Sequence, residues 1–169
     1  MHSQDILIDA FGRIREEVHA VVEGLAPEDL DARPGGTANS ISWLVWHLTR
    51  IQDDHVADAA GTPQVWLSGD WSERFALDLP PRDTGYGHTT DRVARVRGVS
   101  GELLAGYHDA VRDRTLAFLG TLTGEDLDRV VDDRWDPAVT LGVRLVSVLS
   151  DDLQHVGQAA YVRGLLQRA

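Results

Sequence analysis

Three side chains in two distant parts of the sequence have the types and spacing of a metal-binding set. Asp151 and His155 are four residues apart, so a helix would project both from one face, one turn apart. His47 lies far earlier in the chain, on the flank of a helical apolar stripe. Two histidines and one carboxylate can bind a divalent cation and leave coordination positions open for water or substrate, as in catalytic sites.

Each of these three residues also has a structural interpretation. An Asp and a His at this spacing more often form a surface pair, and a single His beside a core is usually a hydrogen-bonded core residue. The metal interpretation gains weight because two separate helices carry polar side chains at the edges of their apolar faces. A carboxylate at such an edge is costly to leave unpaired, and either a metal or an arginine would neutralise Asp151.

Four more polar residues on the same two helices are candidates to support a metal ligand or to face a substrate. Asp54 lies on the flank that carries the candidate histidine, two turns further along. Asp152 and His55 fall near the centres of the two apolar faces, where they could pair with each other. Asp152 could also replace Asp151 as the ligand. Gln158 shares the side of its helix that faces the candidate site and could orient a ligand.

The other histidines and one arginine have weaker patterns. His108 lies between apolar residues and is expected to point inwards with a structural role. His2, His19 and His88 have no partner pattern and are expected on the surface or in loops. Arg163 follows the candidate site closely, where it could attract an anionic substrate or form a surface ion pair.

Helices must position these residues, because apolar residues recur at helical spacing in four stretches. The stretches run from Leu7 to Leu25, from Ile41 to Ala59, from Leu104 to Leu122 and from Thr140 to the C-terminus. No convincing strand alternation competes with them. The pattern predicts an all-α fold, an up-down-type four-helix bundle, in a single domain over residues 1–169.

A long connection joins the second and third helices of this predicted bundle. It spans residues 61–99 and contains Trp66, Trp71, Phe75 and Tyr86. A connection of this length inside a compact domain is usually functional or folded over the surface. These aromatic residues either contribute to a site or close one end of the bundle.

Composition limits the chemistry that the chain can perform. The 169 residues weigh 18.6 kDa and include no cysteine, which excludes disulfides, thiolate metal sites and cysteine nucleophiles. The net charge of −11 makes nucleic acid and anionic membranes poor partners. All 16 basic residues are arginine, which excludes Schiff-base chemistry and a P-loop. No leader or long apolar segment is visible, so a cytoplasmic protein is expected.

Two stretches of the sequence carry a resemblance to a known family. They are Asn-Ser-Ile-Ser-Trp-Leu-Val-Trp-His-Leu at 39–48 and Asp-Asp-Leu-Gln-His-Val-Gly-Gln-Ala-Ala-Tyr-Val-Arg-Gly at 151–164. Together with the helix order, they resemble the DinB-like (DinB/YfiT) superfamily of metalloenzymes. The resemblance implies a divalent metal held by His47, Asp151 and His155. Many members have His where this chain has Asp151, and a carboxylate there resembles the mycothiol-dependent maleylpyruvate isomerase and mycothiol-transferase branch.

The resemblance implies a cofactor, a cosubstrate and an assembly. The metal is expected to be zinc, with nickel, manganese or iron as alternatives. The cosubstrate is expected to be mycothiol, bacillithiol or another small thiol, used by an S-transferase or isomerase that acts on a small electrophile. Since the chain has no cysteine, the reactive sulfur must come from outside. A homodimer is also implied, and Trp46 is expected to be one of the few apolar residues left opposite the core.

Two other functions remain open from the sequence. A metal-dependent hydrolase would use the metal to activate water instead of a thiol. A non-catalytic stress-response or binding module would keep a vestigial or structural metal site, or would pair Asp151 with an arginine. An open site favours an enzyme, whereas a packed site favours the module.

Overall fold

The computed structural model describes residues 2–167 and is built mainly of helices. The described elements are α1 (Ser3–Val22), α2 (Pro27–Leu30), α3 (Ile41–Ala60), α4 (Val65–Ser68), α5 (Trp71–Phe75), α6 (Thr90–Val93), α7 (Gly101–Leu119), β1 (Val130–Asp132), β2 (Val139–Thr140) and α8 (Leu141–Leu166). Short 3-10 turns occupy Pro34–Gly36 and Glu125–Asp128. The four long helices α1, α3, α7 and α8 match the four predicted stretches, and the predicted all-α class is confirmed.

Local capping chemistry explains where the long helices begin and end. The Ser40 hydroxyl accepts the backbone N–H of Trp43 at the start of α3. The helix ends at Gly61, whose φ of 66° is left-handed and favours glycine. Hydroxyls of Ser100 and Thr140 cap α7 and α8 in the same way as Ser40.

The four long helices share one apolar core. α3 packs against α7 and α8, and α1 packs against the same two helices, whereas α1 and α3 make few contacts with each other. Residues spaced by three or four on each helix point into the core, as Phe11, Ile14 and Val18 do on α1. The helix α3 is buried on most of its surface, because the long connection covers the side that faces away from the core.

A buried polar network fastens the connection to α3. Arg50 is fully buried and donates to Asp53, to Gln64 and to the backbone carbonyl of Asp83. The Asp53 carboxylate accepts the backbone N–H groups of Val65 and Trp66, at the start of α4. The connection therefore follows a fixed path over the bundle.

Two expectations from the sequence are corrected by the fold. β1 and β2 form a small antiparallel pair that the helical periodicity did not predict, because strands of three and two residues are too short to show alternation. Trp46 is 1% exposed, not a surface residue, because the connection covers it with Trp66 and His88.

Among residues 2–167, no helix combines the length and the apolar character needed to cross a bilayer.

Candidate metal centre

The structure brings the three candidate ligands together where α3 packs against α8. His47, Asp151 and His155 each place one ligand atom within 4.8 Å of the others. Helical spacing explains the α8 half of the set, since residues four apart share a face. His47 meets them because α3 and α8 form the most extensive helix pair of the bundle. These three residues are hereafter called the triad.

The imidazole of His47 is oriented by the long connection. Its Nδ1 lies 2.5 Å from the carbonyl oxygen of Thr84. A carbonyl oxygen can only accept, so Nδ1 carries the proton and Nε2 is left as the free lone pair. Metal-binding histidines are commonly fixed in this way, with one ring nitrogen on a protein oxygen and the other on the metal.

Gly85 makes the approach of Thr84 to His47 possible. Its φ of 87° is left-handed, and a Cβ at this position would lie 2.7 Å from Nδ1 of His47. Only glycine has both the backbone freedom and the missing side chain that the contact requires.

A hydrogen-bonded chain supports the other side of the His47 ring. Trp43 stacks on it, with ring centroids 4.5 Å apart and an interplanar angle of 16°. The indole Nε1–H of Trp43 donates to Nδ1 of His88 at 3.1 Å. His88 must then carry its proton on Nε2, which donates to Asp83 at 2.9 Å. His88 was expected on the surface or in a loop; it lies in a loop, but its side chain is only 1% exposed, since it fills the space between the connection and α3.

The second histidine of the triad shows the same arrangement as the first. Nδ1 of His155 lies 3.0 Å from the side-chain oxygen of Gln158, so Nδ1 donates the proton and Nε2 is free. That Nε2 faces Asp151, at 3.6 Å from Oδ1. Gln158, predicted to orient a ligand, is therefore placed to do so.

Asp151 supplies a direct indication that a cation fits. Among the described residues, its Oδ2 atom is buried and has no hydrogen-bond partner. No described arginine lies within ion-pair distance of this carboxylate, so the alternative Asp–Arg pair is not formed. A buried carboxylate oxygen without a donor is costly, and a divalent cation between Asp151 and the two Nε2 atoms would satisfy it.

The two imidazoles differ in how readily they take up a proton. Burial lowers the pKa of His47 and outweighs the opposing effect of the Thr84 bond. Burial also acts to lower the pKa of His155, but the neighbouring carboxylate of Asp151 and the hydrogen bond to Gln158 outweigh it and raise the pKa overall. A metal would therefore compete with a proton mainly at His155.

The triad is open on its α8 side. The side chains of His155 and Asp151 are 19% and 31% exposed, whereas His47 is only 5% exposed. A shallow depression of about 600 Å³ adjoins Asp151 along the outer surface of α8. A ligand can thus approach the triad from this side, while Trp43 and the connection close the other.

Asp152, the alternative ligand, points elsewhere. It is fully buried, and neither of its carboxylate oxygens has a partner among residues 2–167. Burial, helped by the charge of Asp151, raises its pKa well above the usual range, so it is held as the neutral acid. The triad is built on Asp151, and nothing in the structure explains the buried acid beside it.

The other two predicted supporting residues lie beside a separate cleft. Asp54 accepts from Gln64, and Nδ1 of His55 lies 3.3 Å from the guanidinium of Arg144. The suggested pairing of Asp152 with His55 is not formed, since His55 faces Arg144 and its side chain is 34% exposed.

Three residues outside the triad also have clear positions. His108 is fully buried, as expected, and neither ring nitrogen has a partner in the described part of the chain. Burial lowers its pKa to about 4. His19 pairs with Asp109. Arg163 donates to backbone carbonyls at the end of α1 and is thus engaged in the fold.

Sequence reasoning missed the supporting residues Trp43, Asp83, Thr84, Gly85 and His88. The only local indication was the segment Thr-Gly-Tyr-Gly-His in the aromatic connection. Its glycines permit close backbone contacts, but no periodicity indicates which helix such a loop will touch.

Comparisons with known proteins identify the family and support the fold. Residues 10–159 match the DinB superfamily. A conserved protein from Enterococcus faecalis, known from a crystal structure, has a TM-score of 0.92 and 31% sequence identity. The similarity covers 100% of this chain and 99% of that one. A comparison with curated proteins found no match.

Proposed function

Because the chain belongs to the DinB superfamily and forms the triad, we propose that it is a divalent-metal-dependent enzyme that activates a small thiol. The reaction would be an S-transfer to a small electrophile, or an isomerisation that passes through such a transfer. Mycothiol is the first candidate thiol, because the carboxylate at Asp151 resembles the mycothiol-dependent branch. The expected location is the cytoplasm, where small thiols are kept reduced.

The observation that carries the metal proposal is the shared arrangement of the two histidines. Both use Nδ1–H on a protein oxygen, at Thr84 and at Gln158. Both therefore keep Nε2 free, and each residue has a ligand atom within 4.8 Å of Asp151, whose Oδ2 has no hydrogen-bond partner among the described residues. Nitrogen and oxygen donors of this kind suit Zn²⁺, and also Ni²⁺, Mn²⁺ or Fe²⁺.

The protein residues would divide the work of such a site. A divalent ion held by the triad would lower the pKa of a coordinated thiol, so that the thiolate is available near pH 7. Trp43 and Thr84 hold the His47 ring and cover its inner side. The exposed edges of Asp151 and His155 leave the outer side open to the thiol and to the electrophile.

The absence of cysteine supports an external thiol. With no thiol in the chain, the nucleophilic sulfur has to be supplied by a cosubstrate. During transfer, the thiolate sulfur would form a bond to an electrophilic carbon of the acceptor while the bond from that carbon to its leaving group breaks. The leaving group, bromide in the case of monobromobimane, would depart with the electron pair, and the thiol proton would pass to solvent. The chain itself needs to provide only the metal ligands and the surfaces that bind the two substrates.

A thiol-conjugation assay tests the proposed function. Zn²⁺-loaded protein is mixed with mycothiol, bacillithiol or glutathione and with the electrophile monobromobimane. We expect the conjugation rate to exceed the rate of the same thiol with free Zn²⁺. Asp151→Ala and His155→Ala should both lose this rate enhancement. Asp91→Ala is the matched control, because Asp91 is exposed on the short helix α6 and should keep full activity.

Two results would contradict the proposed function. One is a conjugation rate with metal-loaded protein that equals the rate with free metal for all three thiols. The other is metal-dependent hydrolysis of an ester or amide without any thiol, which would favour the hydrolase. Full activity in Asp151→Ala would show that any observed activity does not come from the triad.

We also propose a homodimer, formed through the part of the outer face of α8 that lies outside the depression beside Asp151. The exposed residues of this part include Leu153 and Tyr161, whereas Val143 and Val146 line the depression, and none of the exposed residues of α8 is charged. A face without charge is unusual in a chain with a net charge of −11. Light scattering should give a molar mass of twice the chain mass for the wild type and of one chain mass for Leu153→Glu.

A further inference from the structure

A second polar cleft lies in the same α3–α8 groove as the triad. It has a volume of about 480 Å³ and lies between α3, α8 and the start of the connection. Its charged and titratable lining residues are Asp54, His55, Asp58, Arg82, Arg134 and Arg144. Two of these, Asp54 and His55, were singled out from the sequence and have no role at the triad.

Helix geometry places this cleft about two turns from the triad. On α3, His55 follows His47 by eight residues, which corresponds to ~12 Å along the axis. On α8, Arg144 precedes Asp151 by seven residues, or ~10 Å. These spacings keep all four residues on the facing sides of the two helices. A molecule long enough to span ~10–12 Å along the two helices could contact both places.

The cationic side of the cleft contains one guanidinium that is not neutralised by the protein. Arg134 and Arg144 both donate to Asp132, whose side chain is 5% exposed and lies outside the lining of the cleft. Arg82 also lines the cleft, and among the described residues no acidic side chain lies within ion-pair distance of it. Arg82 is thus available to a carboxylate, with the other two guanidinium groups beside it.

The anionic side lies on α3. Asp54 accepts a hydrogen bond from Gln64 at 2.6 Å. Asp58, one turn further, is exposed and has no ion-pair or side-chain hydrogen-bond partner in the described part of the chain. The cleft therefore presents an unpaired cation and an unpaired anion on its two sides. Separated charges of this kind are complementary to a ligand that carries both an anionic and a cationic group.

We propose that this cleft binds the α-amino-acid group, ammonium and carboxylate together, of one of the two substrates that react at the triad. The carboxylate would lie at Arg82 and the ammonium at Asp54 and Asp58. The inference rests on the proposed function, because it assumes that the reactive end of the same molecule reaches the metal. Glutathione carries such a group, whereas mycothiol does not, so with mycothiol as the thiol the group would belong to the electrophile.

Calorimetric titration with S-methylglutathione tests the cleft separately from the metal. This probe keeps the amino-acid group but cannot supply a thiolate. We expect metal-free protein to bind it, and Arg82→Gln and Asp58→Asn each to weaken binding at least fivefold. Arg97→Gln and Asp91→Asn are the charge-matched controls, since both residues are exposed and lie outside the cleft. Equal affinity in the wild type and the two cleft variants would overturn the proposal, as would absence of binding.

A second comparison distinguishes the two substrates and the two proposals. If the thiol occupies the cleft, Zn²⁺-loaded protein binds glutathione more tightly than S-methylglutathione. Equal binding of the two, still dependent on Arg82, assigns the cleft to the electrophile. If the protein binds no metal or shows no conjugation, but its binding of S-methylglutathione still depends on Arg82, only the proposed function is contradicted. If conjugation occurs and neither Arg82→Gln nor Asp58→Asn changes binding, only the proposal for the cleft is contradicted.

Discussion

Two polar clusters lie one turn apart on α3 and differ in how completely the protein satisfies them. In the network of Arg50 and Asp53, both charges are buried and each has several partners, including Tyr107. In the triad, the carboxylate of Asp151 keeps one buried oxygen without a donor, and two of the three ligands are partly exposed. Satisfied buried charges hold a fold in place, whereas an unsatisfied and accessible one indicates a ligand.

The two clusters are coupled through consecutive carbonyl groups of the connection. Arg50 donates to the carbonyl of Asp83, and His47 donates to that of the next residue, Thr84. The network thus fixes the path of the segment that orients the imidazole. The stable cluster positions the incomplete one, as preorganised binding sites require.

The largest expected effect comes from breaking the satisfied cluster. Asp53→Ala should lower the free energy of unfolding by about 3–5 kcal/mol, because it leaves Arg50 as an unpaired buried charge. Urea unfolding measures the loss, with Asp91→Ala as an exposed control. A loss below about 1 kcal/mol would show that the network does not fasten the connection.

The triad should show the opposite behaviour, with stabilisation that depends on metal. At a free Zn²⁺ concentration of 100 times Kd, the metal should raise the unfolding free energy of the wild type by about 2.7 kcal/mol. Asp151→Ala should change the metal-free stability little and remove the Zn²⁺ effect. The same urea titrations, with and without Zn²⁺, provide the measurement. Equal stabilisation of wild type and variant would place the metal elsewhere.

His108 provides a third kind of site, buried and unsatisfied but closed to ligands. Its pKa of about 4 lies below the unfolded value near 6.5, so the unfolded chain binds an extra proton between these pH values. The contribution of the neutral His108 side chain to the unfolding free energy is therefore complete above pH 6.5 and is lost as the pH falls towards 4. At pH 5 the loss is about 2 kcal/mol.

His108→Leu should remove this dependence on pH. When the pH is lowered from 8 to 5, the unfolding free energy of the variant should rise by about 2 kcal/mol relative to that of the wild type. Urea unfolding at the two pH values measures the gain. An identical pH dependence of wild type and variant would mean that His108 is hydrated or paired in the folded state.

The smallest expected effect concerns the orientation of His47. Gly85→Ala should weaken Zn²⁺ binding about tenfold, or ~1.4 kcal/mol, because the added methyl group displaces the His47 ring. Gly87→Ala is the matched control, since Gly87 also has a positive φ but has open space around it. Competition with a chromophoric chelator measures both. Equal Zn²⁺ affinities in the two variants would show that the Thr84 contact is not needed.

The sequence predicted the parts of the molecule that depend on short-range periodicity. The bounds of α3 follow from Ser40 and Gly61 at its ends, and the spacing of Asp151 and His155 places them on one face. His47 could be proposed as their partner because it lies at the edge of an apolar stripe and in a stretch that resembles the DinB-like family.

The remaining features depend on the path of the connection, which no local pattern encodes. Trp46 was expected opposite the core, and His88 on the surface or in a loop, because nothing in their own segments shows that residues 81–88 fold over α3. From the sequence alone, Arg50 is indistinguishable from an ordinary polar residue of an amphipathic helix, because its partners Asp83 and Gln64 lie in the connection. Long-range contacts of this kind decide the details of the site.

Metal content tests the triad most directly. After reconstitution with Zn²⁺ and removal of unbound ions, elemental analysis should find one equivalent per chain in the wild type and in Asp152→Asn. His47→Ala, Asp151→Ala and His155→Ala should each retain almost none, although they remain folded. A wild type without bound metal would contradict the assignment. So would metal that persists in Asp151→Ala and is lost in Asp152→Asn.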